Sequence, residues 1–123
     1  MKFFQKKLTD TALEMRPWGS FAVLHEGDGY KIKRLYVLPN EETSLQTHQH
    51  RSEHWLVESG SAKVTIGEQT LYLLAGASVT VPKNIAHRIE NEGAELLTIF
   101  EVQFGKVLLE SDITRIEDKY GRV

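Results

Sequence analysis

Short runs in which apolar and polar residues alternate, separated by turn-forming residues, make up most of this chain of 123 residues. Alternation with a period of two is typical of β-strands that bury one face. Strands are predicted at residues 20–26, 30–38, 43–50, 53–58, 62–66, 69–74, 79–81, 87–90 and 94–104. Strands of this length and spacing indicate an all-β sandwich or barrel.

The two ends of the chain carry less regular patterns than the middle. Residues 8–15 are predicted to form one or two helical turns, and residues 111–120 a short helix. No linker or low-complexity tract interrupts the sequence. Residues 1–123 are therefore predicted to form a single domain, with its core at about residues 16–105.

The composition narrows the classes of function. Fifteen lysines and arginines stand against seventeen aspartates and glutamates, and this formal net charge of −2 argues against nucleic-acid binding. The absence of cysteine excludes disulfides and zinc–sulfur sites. The sequence has neither a secretory signal pattern nor the roughly 20 apolar residues that a membrane span requires. We therefore expect a soluble cytoplasmic protein with no nucleic-acid or membrane partner.

Histidine clustering is the strongest chemical signal in the sequence. Four of the five histidines fall in two short stretches, one of which contains His87 after a proline-containing turn. Strand alternation turns Gln46, His48 and His50 to one side, and Glu53 begins the next predicted strand facing the same space. Imidazoles and a carboxylate suit Zn²⁺, Mn²⁺, Fe²⁺, Co²⁺ or Ni²⁺, without choosing among them. The alternative is a set of surface histidines or of histidines satisfied in the core.

The strand predicted at residues 30–38 leaves its orientation open. Lys31, Lys33 and Leu35 share one face, but apolar residues occur on both faces. If the lysine-bearing face lines a cavity, its ammonium groups need an anionic partner, because unpaired buried charges are costly. Otherwise the two lysines extend to solvent from the end of the strand.

Two segments resemble the two motifs of the cupin superfamily. The first consists of His48-x-His50, Glu53 and Gly60, and the second of Gly76, Pro82-x-Asn84, His87 and Asn91. Two residues separate His50 from Glu53 where three or four are usual, so His54 is the register-shifted alternative to Glu53. Glu42 and Asn84 stand where cupins usually have glycine. The resemblance implies an all-β, cupin-type double-stranded β-helix (a jelly-roll barrel) with short N- and C-terminal extensions.

A longer series of motifs resembles the type II mannose-6-phosphate isomerase domain. The motifs are Arg16-Pro17-Trp18-Gly19-Ser20-Phe21, Tyr30-Lys31-Ile32-Lys33-Arg34, residues 44–55, residues 82–91, Glu101-Val102-Gln103-x-Gly105 and Asp112-Ile113-x-Arg115-x-Glu117-Asp118-x-Tyr120-Gly121-Arg122. In that family the domain is commonly the C-terminal part of a bifunctional enzyme, whose other part is a mannose-1-phosphate guanylyltransferase. No Gly-rich nucleotide loop precedes Arg16, so a separate guanylyltransferase is a candidate partner.

The resemblance implies a metal-dependent isomerase that interconverts mannose 6-phosphate and fructose 6-phosphate through an enediolate. One divalent ion, with zinc as the first candidate, would polarise the sugar carbonyl. A base would carry a proton between C1 and C2. Cationic side chains would bind the phosphate of this small sugar-phosphate substrate.

Candidate site residues are assigned to these three roles. The expected metal ligands are His48, His50, Glu53 and His87, with Gln46 as a replacement for one of them. The expected catalytic base is Glu101, and His54 is the second candidate. The expected phosphate-binding residues are Lys31, Lys33 and Arg88, followed by Arg16, Arg51 and Arg115. For Glu101 and for each cation, the alternative is a structural ion pair.

Two other functions are compatible with the same fold. A non-catalytic cupin that binds a sugar phosphate or sugar nucleotide would retain the pocket, and a cupin oxygenase or decarboxylase would use the same metal ligands. We also expect a homodimer, because small sandwiches have edge strands to cover. Residues before Arg16, including Phe3, Phe4 and Leu8, are the candidates for that covering arm.

Overall fold

Residues 12–123 are described by a computed structural model, and they form two antiparallel sheets. The strands are β1 (Leu13–Arg16), β2 (Gly19–Gly27), β3 (Tyr30–Val37), β4 (Leu45–Thr47), β5 (Ser52–Ser59), β6 (Ser61–Ile66), β7 (Gln69–Leu74), β8 (Ser78–Val81), β9 (His87–Glu90), β10 (Leu97–Phe104) and β11 (Thr114–Glu117). The larger sheet has the order β1-β2-β3-β10-β5-β8, and the smaller has the order β11-β4-β9-β6-β7. The prediction of an all-β fold is confirmed. Within residues 12–123, no helix has the length and hydropathy needed to cross a membrane.

Hydrophobic side chains from both sheets form one core. Val37, Val57 and Ile99 come from the larger sheet, and Val64 and Ile89 from the smaller. All five are at most 2% exposed. Removing this apolar surface from water is the main favourable contribution to folding, and it requires both sheets because each strand buries only one face.

The inner face of β3 is the face that carries lysine. Lys33, Leu35 and Val37 are all buried, at 3%, 5% and 0% exposure, whereas Arg34 and Tyr36 between them are more exposed. Strand alternation alone did not show which face of this strand is buried. The structure shows that the face carrying Lys33 lies inside the sandwich. Lys33 is accompanied there by Glu110, which forms an ion pair with its ammonium group.

The central strands of the larger sheet bring several polar residues to one end of its inner face. Glu101 on β10 lies opposite Lys33 on β3 and opposite Trp55 on β5. Gln103, two residues further along β10, lies opposite Glu53 on β5. Further along the same strands the inward positions are apolar, so the sandwich is apolar at one end and polar at the other; these apolar residues are Leu35, Val37, Val57 and Ile99.

The strand predicted at residues 43–50 is shorter than expected. Only Leu45–Thr47 is a strand, and the chain bends at residues 49–50. The carboxylate of Asp112 accepts the backbone N–H of Gln49 at 3.0 Å and that of His50 at 2.9 Å. These two hydrogen bonds hold the bend, so strand alternation does not continue past Thr47.

The two chain ends also differ from expectation. The helix predicted at residues 111–120 is wrong, because Thr114–Glu117 forms β11 and pairs with β4. Partners on a neighbouring strand outweigh a weak local preference for helix. Leu13–Arg16 forms a strand paired with β2 rather than a helical turn. Phe3, Phe4 and Leu8, the expected dimer arm, lie outside the described residues.

Gly105 follows β10 at the point where the chain passes the bend. A Cβ atom at this position would overlap the carbonyl oxygen of His50 and lie 3.2 Å from the Cα of Arg51. Both obstructing atoms belong to backbone, so they cannot rotate away as a side chain can. The absence of a side chain at Gly105 therefore allows the end of β10 to approach the segment that carries His48 and Arg51.

We expect Gly105→Ala to lower the free energy of unfolding by about 1–3 kcal/mol, the usual effect of overpacking. Gly93→Ala is the matched control, since its Cβ would lie 3.4 Å from the nearest atom, Asn91 Oδ1. Urea unfolding followed by tryptophan fluorescence measures both variants. Equal free energies of unfolding for Gly105→Ala and the control would contradict the proposed backbone overlap.

Candidate functional site

A cavity lies at the polar end of the sandwich and is lined by residues of both sheets. Charged side chains make up much of its lining. The cations are Arg16, Lys33, Arg51, Arg115 and Arg122, and the carboxylates are Glu53, Glu101 and Glu110. Because the cations outnumber the carboxylates, the charge of the cavity favours an anionic ligand.

Three buried residues in this region form a group that could hold a metal ion. His48 follows β4, Glu53 lies on β5 and His87 begins β9. One ligand atom from each residue lies within 4.8 Å of the other two. Nitrogen and oxygen ligands from three different strands or strand ends therefore converge without any sulfur, as expected for Zn²⁺ and similar divalent ions.

The two histidines are held in the tautomer that leaves Nε2 free to bind a metal. The Nδ1 of His48 lies 2.6 Å from the carbonyl oxygen of Asp112, and the Nδ1 of His87 lies 2.8 Å from that of Ile85. A carbonyl oxygen only accepts, so each Nδ1 carries the proton and each Nε2 keeps its lone pair. Burial lowers the pKa of both histidines; for His48 the charge of Arg51 adds to burial and the pKa falls to about 4. Both rings are therefore neutral at pH 7.

These lone pairs face the carboxylate of Glu53. The Nε2 of His48 lies 3.2 Å from Glu53 Oε2, and the Nε2 of His87 lies 3.8 Å from Glu53 Oε1. Among residues 12–123, His87 Nε2 has no hydrogen-bond partner although it is buried. Electron-rich atoms that face one another in a buried site require a cation or a proton donor between them.

Arg51 supplies part of that positive charge. Its Nε donates to Glu53 Oε2 at 2.8 Å, its Nη2 donates to His48 Nε2 at 3.2 Å, and its Nη1 donates to the carbonyl oxygen of Leu109 at 3.3 Å. The side chain is 6% exposed. Burial works to lower the pKa of Arg51, but the carboxylates of Glu53 and Glu101 outweigh it and raise the pKa above its ordinary value. The contacts of Arg51 do not indicate the expected phosphate-binding role, because its guanidinium already binds Glu53 and His48.

Glu101 is a buried carboxyl group beside this cluster. Its Oε1 accepts from the indole nitrogen of Trp55 at 3.2 Å, and its Oε2 accepts from Gln103 Nε2 at 3.0 Å. The same indole nitrogen also donates to Glu53 Oε1 at 3.1 Å. Burial and then the negative charge of Glu53 raise the pKa of Glu101 to about 7. The group can therefore change protonation state near neutral pH.

His50 and His54 lie away from the cluster. His50 is exposed, because the bend held by Asp112 ends the alternation that was expected to turn it inward. His54 lies on the opposite face of β5 from Glu53, with its Nδ1 3.0 Å from Thr80 Oγ1. The structure therefore does not bring His50 to the expected ligand set or His54 to the expected catalytic site. Gln46, in contrast, lines the cavity.

The bend also explains the irregular spacing of the first cupin-like motif. If Gln46 and His48 are taken as the paired positions, four residues separate His48 from Glu53, which is a usual spacing. The glycine position of the motif then falls on Asn40, whose φ is 63°. Asn84, at the glycine position of the second motif, has a φ of 62°. Asparagine is among the few residues that adopt this left-handed conformation readily.

The expected phosphate-binding residues fall into two groups. Some are occupied by partners within the protein: Lys31 (with Glu26 and the Leu108 carbonyl), Lys33 (with Glu110), and Arg88 (with Glu42, Glu117 and the Thr43 carbonyl). Arg16 and Arg115 line the cavity, and among residues 12–123 neither has a carboxylate partner within ion-pair distance. The Nε of Arg115 is buried and lacks a hydrogen-bond partner among the same residues.

Sequence reasoning missed several residues that build the site. Asp112 orients both the bend and His48, Glu110 pairs with Lys33, and the Trp55 indole joins two carboxylates. Arg122 also lines the cavity, but Asp118 binds its guanidinium at 2.8 Å. Asp112, Asp118 and Arg122 belong to the last of the isomerase-like motifs, which is the signal that could have drawn attention to them.

The sequence matches the family model for the mannose-6-phosphate isomerase C-terminal domain over residues 5–118. Xanthan biosynthesis protein XanB of Xanthomonas campestris pv. campestris is 46% identical over 107 residues, which cover 87% of this chain and 23% of XanB. Mannose-1-phosphate guanylyltransferase ManC of Salmonella typhimurium is 43% identical over 108 residues, which cover 88% of this chain and 22% of ManC. The chain therefore spans less than a quarter of the length of these curated relatives.

The fold is also similar to that of solved cupin structures. The cupin domain of Cnp3 from Schizosaccharomyces pombe superimposes with a TM-score of 0.72 at 17% sequence identity, covering 80% of this chain and 71% of that one. At this identity the similarity concerns the fold alone. Together with the two antiparallel sheets, it confirms the predicted cupin-type architecture.

We expect Glu101→Gln to remove a pH-dependent loss of stability from the metal-free protein. The folded-state pKa of about 7 lies above the ordinary value of 4.5, so the folded protein holds this proton more tightly than the unfolded chain does. The resulting stability is complete below pH 4.5 and is lost as the pH rises to about 7. The loss should be on the order of 1–3 kcal/mol. Gln103 can accommodate the new amide by rotating its own, because its Oε1 lacks a partner among residues 12–123.

Urea unfolding between pH 4.5 and 8 in the presence of EDTA measures this effect. Glu58→Gln is the matched control, since Glu58 is an exposed carboxylate of the same sheet that pairs with Arg34. Relative to wild type and to Glu58→Gln, Glu101→Gln should gain on the order of 1–3 kcal/mol of stability as the pH rises across this range. The opposing contribution of the buried His48 and His87 is common to all three proteins. Parallel curves for all three proteins would contradict the expectation.

Proposed function

The chain belongs to the mannose-6-phosphate isomerase C-terminal domain family, and we propose that its cavity interconverts mannose 6-phosphate and fructose 6-phosphate. The observation that carries this proposal is the position of the buried Glu101 carboxyl beside the His48–Glu53–His87 cluster. An aldose–ketose isomerisation requires a base and a source of positive charge in one enclosed space. Family membership supports the choice of substrate.

Glu101 acts as the base in this proposal. Moving the carbonyl from C1 to C2 of the sugar requires removal of the proton on C2 and its return to C1, with an enediolate between the two steps. The Glu101 carboxylate accepts the proton from C2 and donates it to C1, while the hydroxyl proton of O2 moves to O1 within the enediolate. Trp55 and Gln103 each bind one of its oxygens, which fixes the carboxylate for both transfers. Positioned acid–base groups of this kind contribute about 10²–10⁴-fold to rate.

His48, Glu53 and His87 are the residues that would hold a divalent ion. Two neutral imidazoles and one carboxylate form a donor set suited to Zn²⁺. The lone pair on His87 Nε2, which has no partner among residues 12–123, is an observation that a metal would account for. Gln46 is a further candidate because its side chain lines the same cavity. When bound, the ion would polarise the sugar carbonyl and stabilise the negative charge on the enediolate oxygens.

Arg16 and Arg115 form the phosphate-binding end of the cavity in this proposal. A guanidinium group binds phosphate through two parallel hydrogen bonds, and it does so best when no carboxylate competes for it. Arg16 and Arg115 meet that condition among residues 12–123, whereas Lys33 and Arg122 are paired with Glu110 and Asp118. The guanidinium groups of Arg16 and Arg115 are therefore the cations of the cavity that can bind the substrate phosphate.

We expect the metal-loaded chain to convert mannose 6-phosphate in a coupled assay, and EDTA to abolish the activity until a divalent ion is restored. Glu101→Gln should lower kcat by about 10²–10⁴-fold, because the transferring group is removed while the cavity is kept. His54→Asn should remain close to wild type, since His54 faces away from the cavity beside Thr80. Equal loss of activity in both variants would contradict the assignment of the base.

Absence of turnover with Zn²⁺, Mn²⁺, Fe²⁺, Co²⁺ and Ni²⁺ would contradict the isomerase proposal. Thermal stabilisation by mannose 6-phosphate in that same protein would then support the non-catalytic binding function. Oxygen consumption by the iron-loaded protein would instead indicate an oxygenase.

We expect Arg115→Gln to raise the KM for mannose 6-phosphate by about 10-fold or more while kcat changes less. The reason is that a charge-assisted hydrogen bond contributes about 1.5–3 kcal/mol to binding. Arg88→Gln is the matched control, because Arg88 is bound by Glu42 and Glu117 and does not line the cavity. A KM that responds equally to both substitutions would contradict a phosphate site at Arg115.

A further inference from the structure

We infer that Arg51 and a divalent ion compete for the same lone pair of His48, so that Arg51 limits the metal affinity of this site. The inference rests on the metal site of the proposed function. It concerns a residue of this chain that contacts two of the three candidate ligands, His48 and Glu53.

The imidazole of His48 has only one nitrogen that can accept a metal or a hydrogen bond. Its Nδ1 proton is directed at the carbonyl oxygen of Asp112, so the ring has one lone pair, on Nε2. The Nη2 of Arg51 donates to that lone pair at 3.2 Å. A metal bound at Nε2 would use the same electron pair, and a single in-plane lone pair serves one partner at a time.

The carboxylate of Glu53 accepts a hydrogen bond on each of its two oxygens. Its Oε2 accepts from Arg51 Nε at 2.8 Å, and its Oε1 accepts from Trp55 Nε1 at 3.1 Å. The Arg51 guanidinium therefore lies on the side of Glu53 that faces His48. A divalent ion between Glu53 and His48 would be in close contact with this buried cation, and repulsion between them is weakly screened in a buried site.

Arg51 has other negatively charged partners within the cavity. The carboxylates of Glu101 and Glu110 line the same cavity, and both contribute to raising the pKa of the guanidinium. Arg51 Nη1 also contacts the carbonyl oxygen of Leu109, next to Glu110. A guanidinium released from His48 therefore has negative partners within the cavity, and metal binding does not require it to reach solvent.

Zn²⁺ binding to the full chain tests the competition. Isothermal titration calorimetry after removal of metal should give an affinity about 10–100-fold higher for Arg51→Met than for wild type. This is the magnitude usually lost when a residue that supports a metal ligand is removed, with the opposite sign because Arg51 competes with the metal. Lys33→Met is the matched control, because it removes another buried cation of the cavity that pairs with Glu110 rather than with a metal ligand. Its gain should be much smaller. Equal gains, or no gain for Arg51→Met, would overturn the inference.

A measurement on the wild-type protein covers the case in which Arg51→Met does not fold. The Nε–H group of Arg51 is buried and hydrogen-bonded, so it should give a slowly exchanging signal in ¹⁵N-correlated NMR spectra of the metal-free protein. Saturation with Zn²⁺ should shift that signal as the guanidinium leaves Glu53 and His48. A signal unchanged at saturation would overturn the competition and leave the isomerase proposal intact. Absence of turnover in a metal-loaded protein would contradict the isomerase proposal and leave the competition between Arg51 and the metal intact.

Discussion

The site depends on placing charged groups inside a β-sandwich and neutralising them there. Glu53 and Glu101 lie on neighbouring strands of the larger sheet, share the indole nitrogen of Trp55, and are both buried. Two buried carboxylates that share one hydrogen-bond donor would greatly destabilise the fold if both were charged and unpaired. Arg51 forms an ion pair with Glu53. Glu101 can be protonated near neutral pH because burial and the charge of Glu53 raise its pKa to about 7.

The segment after β10 completes this arrangement from outside the two sheets. The backbone carbonyls of Leu108, Leu109 and Asp112 accept hydrogen bonds from Lys31, Arg51 and His48, respectively. The carboxylate of Glu110 pairs with Lys33. Four inward side chains are thus oriented by a stretch of chain that belongs to neither sheet. Catalytic and binding sites commonly combine rigid strands with such a connecting segment.

The alternating pattern was sufficient to predict the β-architecture and most strands, because each strand buries one face. It also indicated Glu53, His48 and His87 as a group, since motif spacing reflects the pairing of strands within the fold. It failed at His50, because the chain bends at residues 49–50 and successive side chains no longer alternate. That bend is held by Asp112, which lies 62 residues from His50 in the sequence, so no local pattern around residues 46–55 contains it. The strand at Thr114–Glu117 was missed for the same reason, because its only strand partner within residues 12–123 is β4, which is distant in the sequence.

The position of Asp112 changes where the functional unit ends. A core limited to about residues 16–105 would retain every strand except β1 and β11, and would include His48, Glu53, His87 and Glu101. It would nevertheless lack the carboxylate that fixes the bend and the carbonyl that fixes the His48 ring. The smallest unit that carries a formed site therefore extends past β10 to β11. Any transplantation of this domain into a fusion protein has to include the carboxyl-terminal segment, which looks like an appendage in the sequence but serves as part of the scaffold.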